Sequence, residues 1–94
     1  MKIIGLIKLI NPEAFERYRA QVGATIAQYG GSVQYRGTTT MMPWNELGCE
    51  DFNAFVEIEF PSTEQARHWA KSPEYAALLP IRGQAMRLTL FGVQ

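Results

Sequence analysis

The sequence predicts an α+β fold in which helices cover one face of a four-stranded antiparallel sheet. Three observations lead to this prediction. Four segments have the β-branched or alternating composition of strands, two helix starts are marked by capping residues, and these elements follow the order β-α-β-β-α-β. The chain has 94 residues, the size of one domain, so we expect a single domain over residues 1–94.

The first strand and the first helix are marked by composition and by a capping sequence. Residues 2–10 are rich in isoleucine and leucine on both alternating faces, which is typical of a strand buried on both sides. Asn11 then serves as an N-cap, with Pro12 at the first helical position. Apolar residues recur at spacings of three and four over about five turns, and Gly30-Gly31 ends the helix.

The middle of the chain predicts two further strands separated by a loop. We expect strands at residues 32–41 and 52–60, and a loop at residues 42–51. The third strand has an apolar face, and Phe55, Glu57 and Glu59 lie on its opposite face. From the second strand, the residues expected to share this opposite face are Gln34, Arg36, Thr38 and Thr40.

The last third of the chain predicts a second helix, a short additional helix and a fourth strand. Ser62 with Gln65 three residues later fits a capping box and starts the second helix. Ser72-Pro73 starts a short additional helix, which we expect Pro80 to bend or end. Residues 86–93 form the fourth strand. The order is that of the ferredoxin-like split βαβ arrangement, which leaves one face of the sheet without helices.

Charge and cysteine content exclude several classes of protein. Nine basic and nine acidic side chains give a formal net charge of zero, whereas nucleic-acid-binding domains carry a clustered basic excess. The single cysteine, Cys49, cannot form an intrachain disulfide or a multi-cysteine metal site. No apolar stretch approaches the roughly 20 residues of a membrane span. We therefore expect a cytoplasmic protein with neither a nucleic-acid nor a membrane partner.

The sheet face without helices has three interpretations. It is expected to carry apolar side chains of the first strand together with Phe55, Glu57, Arg87 and Phe91. Such a face is solvated, binds RNA, or forms a homodimer in which two sheets pack face to face as a closed barrel. The zero net charge disfavours RNA. A first strand that is apolar on both faces favours the homodimer.

Short motifs in a fixed order resemble a known family. They are Asn11-Pro12-Glu13 with Tyr18, Tyr29-Gly30-Gly31 before Arg36-Gly37, Glu59-Phe60-Pro61-Ser62 with Ala66 and Trp69, and Ser72-Pro73-Glu74-Tyr75 with Arg82. Over nearly its whole length the chain resembles domain-of-unknown-function family 1330, within the dimeric α/β-barrel, ferredoxin-like superfamily. It departs from that family in residues 38–51, which contain a threonine run and an acidic loop.

The resemblance implies a homodimer and a pocket between the helices and the sheet. It implies no particular reaction, because fold analogy is weak evidence for chemistry. Relatives in the wider superfamily include cofactor-free monooxygenases, muconolactone isomerases and haem-dependent chlorite dismutases.

Arg36 and Glu57 are the candidate catalytic residues. A guanidinium in mid-strand is costly unless it is paired. Arg36 therefore either forms an ion pair with Glu57 or Glu59, or anchors a carboxylate or enolate with its planar fork. A carboxylate such as Glu57 inside an apolar barrel could act as a base.

The candidate ligand-binding residues are mostly aromatic. Tyrosine hydroxyls could supply hydrogen-bond donors, Trp44 in the long loop is a candidate lid, and Arg82 either pairs with Glu74 or closes the pocket mouth. His68 is expected to face solvent and Cys49 to be an inert thiol. The full set of candidate ligand-binding residues is Tyr18, Tyr35, Arg36, Trp44, Trp69, Tyr75 and Arg82.

The sequence therefore predicts a small homodimer with a small-molecule pocket between sheet and helices. The expected ligand is a compact apolar or aromatic molecule carrying an oxygen anion, and an enzyme of this kind would be cofactor-independent. No metal and no cofactor are expected, because no motif for either is present. The alternative is a non-catalytic dimeric module that binds a partner protein through an apolar patch around Trp44 and Met41-Met42.

Overall fold

The sheet has four strands in the spatial order β2-β3-β1-β4, and every neighbouring pair is antiparallel. The computed structural model describes residues 1–94. The strands are β1 (Lys2–Leu9), β2 (Ser32–Thr38), β3 (Ala54–Glu59) and β4 (Met86–Val93). The predicted ferredoxin-like α+β fold is confirmed. The second and third strands are shorter than predicted, so the loop between them covers residues 39–53.

The helices begin at the capping residues that the sequence predicts. They are α1 (Pro12–Gln28), α2 (Thr63–Ala70), α3 (Pro73–Ala76) and α4 (Leu79–Ala85). The side chain of Asn11 accepts hydrogen bonds from the first backbone N–H groups of α1, at 3.0 and 3.1 Å. The Ser62 hydroxyl accepts one from Gln65 at 3.2 Å. None of the helices combines the length and the apolar composition needed to cross a membrane.

Pro80 differs from its predicted role. We expected it to bend or end the short helix, but it lies in the first turn of α4. A proline there removes only an N–H that has no partner within the helix, so it favours a helix start. The chain between α2 and β4 therefore contains two short helices instead of one.

A bulge in β2 reverses the faces of its second half. Val33 pairs with Ile58 and Arg36 with Val56, and the register shifts between Val33 and Tyr35. Paired residues share a face, so one extra residue on β2 moves every later side chain to the opposite face. The expectation that Arg36 and Thr38 lie on the open face is therefore wrong. Both lie on the face covered by helices.

The core lies between the helices and the sheet and is organised around Trp69. Its ring packs against Phe60 and Tyr75, with ring centroids 5.4 and 4.6 Å apart. The indole N–H donates to the Thr25 hydroxyl at 3.0 Å, and Thr25 donates to a carbonyl of its own helix. Because this pair joins α2 to α1, it fixes the position of α1 over the sheet.

Candidate functional site

A cavity of about 270 Å³ lies between α1 and the covered face of the sheet. Fourteen of its eighteen lining residues are hydrophobic, so its interior suits an apolar molecule. Helix α1 supplies Phe15, Tyr18 and Val22, and the sheet supplies residues of all four strands. Trp69 contributes to the lining from α2. The cavity lies where the alternating apolar face of the sheet meets the apolar stripe of α1.

The polar side chains of the cavity lining include two guanidinium groups and the hydroxyls of Thr38 and Tyr18. Arg36 and Thr38 reach the lining because the β2 bulge turns them toward α1. Arg19 comes from α1, lies 5.7 Å over the ring of Phe15, and pairs with Glu16 at 3.1 Å. No ion pair in the structure involves Arg36. Its side chain is exposed, so its free charge lies at the cavity mouth.

Arg36 and Glu57 do not share a site. Glu57 pairs with Tyr35 across the ladder and lies on the open face, opposite to Arg36. Its carboxylate is 2.9 Å from Lys2 Nζ, and Glu59 is 3.8 Å from the same atom. The ion pair between Arg36 and either glutamate is therefore absent from this structure. A base role for Glu57 inside the cavity finds no support in this geometry.

Tyr18 connects the cavity to a buried chain of hydrogen bonds. Its hydroxyl oxygen is 2.8 Å from that of Tyr75, and the Tyr75 hydroxyl accepts a bond from Arg82 Nη1 at 3.0 Å. Tyr18 is 8% exposed and Tyr75 is 3% exposed. Burial, followed by the neighbouring Tyr75, raises the pKa of Tyr18, so its phenol stays neutral. Tyr75 and Arg82 do not line the cavity and act on it only through Tyr18.

Arg82 adopts neither of its expected roles. It does not line the cavity mouth, and Glu74 is instead bound by the hydroxyl of Tyr29 at 2.5 Å. This hydrogen bond raises the pKa of Tyr29. The cation of Arg82 also lies 5.7 Å from the ring centroid of Tyr75. Arg82 therefore contacts both the ring and the hydroxyl of Tyr75.

Besides Tyr75 and Arg82, two further candidate ligand-binding residues do not line the cavity. Tyr35 is 61% exposed on the open face, where its ring meets that of Phe55 at 6.1 Å. Trp44 is 80% exposed in the loop of residues 39–53. His68 is exposed, as expected, and Cys49 is a free, exposed thiol. No group of three or more acidic, histidine or cysteine side chains that could hold a metal ion occurs.

The sequence prediction missed Phe15, Arg19 and Thr38 as lining residues. Arg19 follows Phe15 by four positions, so it borders the apolar stripe of α1. That spacing is a signal from which Arg19 could have been found. Thr38 carries no such signal, because the bulge alone determines its face.

Solved structures of low sequence identity share this fold. The RPA0582 protein of unknown function from Rhodopseudomonas palustris is 21% identical, with a TM-score of 0.73 over 96% of this chain and 78% of that chain. SnoaB from Streptomyces nogalater, described as a cofactor-independent oxygenase, is 14% identical, with a TM-score of 0.62 over 99% of this chain and 91% of that chain. A dimeric ferredoxin-like protein of unknown function from Thermobifida fusca is 13% identical, with a TM-score of 0.58 over 98% and 89%.

A family model agrees with the motifs and with the fold. No curated protein matches this sequence. The model described as Domain of unknown function (DUF1330) matches residues 3–94, which is nearly the whole chain. The chain therefore belongs to the DUF1330 family, and its fold is the ferredoxin-like α+β fold.

Proposed function

We propose that this chain binds a compact apolar or aromatic molecule carrying an oxygen anion in the cavity between α1 and the sheet. The observation that carries this proposal is the guanidinium of Arg36, which has no ion-pair partner and lies at the mouth of a cavity lined mostly by apolar side chains. A guanidinium binds a carboxylate or an enolate through two parallel hydrogen bonds. The cavity volume of about 270 Å³ is close to the lower end of ligand sites, roughly 300 Å³, which limits the ligand to a small molecule.

The reaction that fits this site needs no cofactor. Arg36 would stabilise an oxygen anion that forms on the bound molecule, because its guanidinium is already positioned at the cavity mouth. SnoaB, which shares the fold, is described as a cofactor-independent oxygenase. Because Glu57 lies on the other face of the sheet, this proposal assigns it no part in the reaction.

Binding of benzoate and of its neutral analogue benzamide tests the proposal. We expect the protein to bind benzoate more tightly, because only benzoate presents a carboxylate to Arg36. Charged hydrogen bonds of this kind contribute about 1.5–3 kcal/mol, so Arg36→Met should weaken benzoate binding by roughly 10- to 100-fold. Isothermal titration calorimetry measures both affinities.

Arg17→Met is the matched control, because Arg17 is also exposed but does not line the cavity. It should leave benzoate binding unchanged. Equal affinity for benzoate and benzamide, or full benzoate binding by Arg36→Met, would contradict the proposal. An Arg36→Met protein that does not fold would indicate a structural role for Arg36.

A second candidate function is a module that binds a partner protein. It is favoured by three large apolar side chains that are each exposed in the loop of residues 39–53, Met41, Trp44 and Leu47. Exposed apolar surface marks interaction sites. The double substitution Trp44→Ser with Leu47→Ser separates the two candidates. It should weaken binding to a partner protein and leave benzoate binding intact.

A further inference from the structure

Tyr18, Tyr75 and Arg82 form a short chain of hydrogen bonds beside the cavity. In this chain one hydroxyl proton has no acceptor. Arg82 donates to the Tyr75 hydroxyl, and the hydroxyls of Tyr75 and Tyr18 share one further hydrogen bond. Each phenol carries one proton. One of the two protons makes the shared bond, and neither hydroxyl has a third partner in the structure. The other proton is therefore free to donate to something else.

The position of Arg82 determines which proton is free. The Tyr75 oxygen already accepts from a cation, which makes its own O–H a stronger donor and its oxygen a weaker acceptor of a second bond. If Tyr18 donated instead, the Tyr75 proton would remain without an acceptor in a site that is 3% exposed. Leaving a buried donor unsatisfied is costly. Tyr75 is therefore favoured as the donor to Tyr18, which leaves the free proton on Tyr18.

Tyr18 is the member of the chain that lines the cavity, whereas Tyr75 and Arg82 do not. We infer that the Tyr18 hydroxyl donates a hydrogen bond to a second oxygen of the molecule bound in the cavity. This inference rests on the proposed function, because it concerns the same cavity. The direction of the chain, from Arg82 through Tyr75 to Tyr18, strengthens the donation by polarising each successive hydroxyl.

The inference narrows the class of ligand. Arg36 at the mouth takes the anion, and Tyr18 supplies a neutral donor in the buried part of the lining. The raised pKa of Tyr18 keeps its proton in place over the physiological range, so the group acts as a donor and not as an anion. The ligand that fits is an apolar or aromatic acid, or an enolate, with an additional carbonyl or hydroxyl oxygen.

Two probes that differ only in this second oxygen test the inference. They are 4-acetylbenzoate, which has a ketone opposite its carboxylate, and 4-ethylbenzoate, which does not. We expect the wild-type protein to bind the ketone about three- to tenfold more tightly, the effect of one neutral hydrogen bond. Tyr18→Phe should remove this preference and leave the affinity for 4-ethylbenzoate unchanged. Arg36→Met should weaken both probes by the same factor.

Tyr75→Phe serves as the matched variant and also tests the direction of the chain. It should keep a reduced preference for the ketone, because the free proton remains on Tyr18 but is no longer polarised through Tyr75. A larger preference in Tyr75→Phe would mean that Tyr18 normally donates to Tyr75, and would overturn the inference. This variant decides the question if Tyr18→Phe fails to fold, which circular dichroism would show.

Different results would refute the proposed function and the role of Tyr18. If neither benzoate binds to the wild-type protein, the proposed function fails. If both bind with equal affinity and still require Arg36, the proposed function stands and the role of Tyr18 is refuted. A preference for the ketone that persists in Tyr18→Phe would likewise refute the role of Tyr18.

Discussion

The guanidinium of Arg36 is free because the carboxylates near it in the sequence have other partners. Glu57 and Glu59 lie on the opposite face of the sheet, where both are within 4 Å of Lys2 Nζ. On α1, the carboxylate of Glu16 is paired with Arg19. An unpaired arginine beside an apolar cavity is a poor structural element, since it contributes no ion pair to the fold. This favours a role in binding.

At Gly31, just after the end of α1, the backbone lies against the core. A Cβ atom there would lie 2.6 Å from Cε1 of Phe60 and 2.8 Å from Cγ2 of Ile26, two of the most buried side chains. We expect Gly31→Ala to lower the free energy of unfolding by about 1–3 kcal/mol, since neither neighbour can move without disturbing the core. Urea denaturation measures this change.

Gly23→Ala is the control, because Gly23 lies inside α1 with no atom within 4 Å of the added methyl group. It should raise the free energy of unfolding by roughly 0.5–1 kcal/mol, as alanine is the better helix former. Equal effects of the two substitutions would show that the chain around Gly31 relaxes more easily than the packing indicates.

At the scale of elements, the helices and strands that bury a continuous apolar face were predicted correctly from the sequence. β1, β3 and β4 each present alternating apolar residues to the helices, and the caps of α1 and α2 contain the residues that make the observed hydrogen bonds. The second half of β2 was assigned to the wrong faces. β2 is an edge strand with mostly exposed side chains, so no buried face determines its register, and a one-residue bulge leaves no sequence signal.

The wrong face assignment of β2 changes the interpretation of Arg36. With regular alternation, Arg36 would lie beside Glu57 and the ion pair would be the natural interpretation. The bulge instead places Arg36 in the cavity lining and Tyr35 on the open face. Tyr18 and Trp69 could be located from helix periodicity, whereas the location of Arg36 required the structure.

The loop of residues 39–53 is held to the sheet by the carboxylate of Glu50 and by backbone hydrogen bonds. Glu50 is 2.7 Å from Arg87 and 3.1 Å from Lys8, and both partners lie on the open face at the end of β1 and β4. The backbone N–H of Asn53 also donates to the carbonyl of Ile7 at 2.9 Å. These contacts position the loop at one end of the open face.

We expect the pKa of Glu50 to lie below the ordinary glutamate value, because Arg87 and then Lys8 donate hydrogen bonds to its carboxylate. A carboxylate with a lowered pKa stabilises its contacts above its unfolded-state pKa, and this effect is lost as the pH falls through the lowered value. The loop should therefore detach only in acid. Titration of the carboxyl carbon by NMR measures the pKa, and Arg87→Gln should raise it.

Lys2→Gln is the control for that titration, since Lys2 pairs with Glu57 and Glu59 and not with Glu50. It should leave the pKa of Glu50 unchanged. If Arg87→Gln also left it unchanged, the contact between Arg87 and Glu50 would not be maintained in solution, and the loop would need another anchor.

At the scale of the whole molecule, the open sheet face has the properties of a self-association surface. Ile4, Leu6, Phe55 and Phe91 form its apolar centre, as their register with neighbouring strands places them on one side. The flanking charges are paired within the chain, by Lys2 with two glutamates and by Glu50 with Lys8 and Arg87. A second copy could therefore cover the face without burying unpaired charges.

We propose that two chains pack these faces together, because the face is apolar at its centre and its flanking charges are already paired. A standard interface of about 800 Å² per partner is comparable to one face of a four-stranded sheet. Phe91→Asp should convert the dimer to a monomer at micromolar concentration, because it places a charge in the apolar centre. Size-exclusion chromatography with light scattering measures the mass.

Leu79→Asp is the matched control for this prediction. Leu79 is 43% exposed and Phe91 is 44% exposed, but Leu79 lies at the start of α4 in the helical layer, away from the open face. It should leave the dimer intact. A wild-type protein that is monomeric at micromolar concentration would refute the face-to-face dimer. A dimer that survives Phe91→Asp would place the interface away from β4, and a dimer lost in both variants would mean that the helical layer takes part in the assembly.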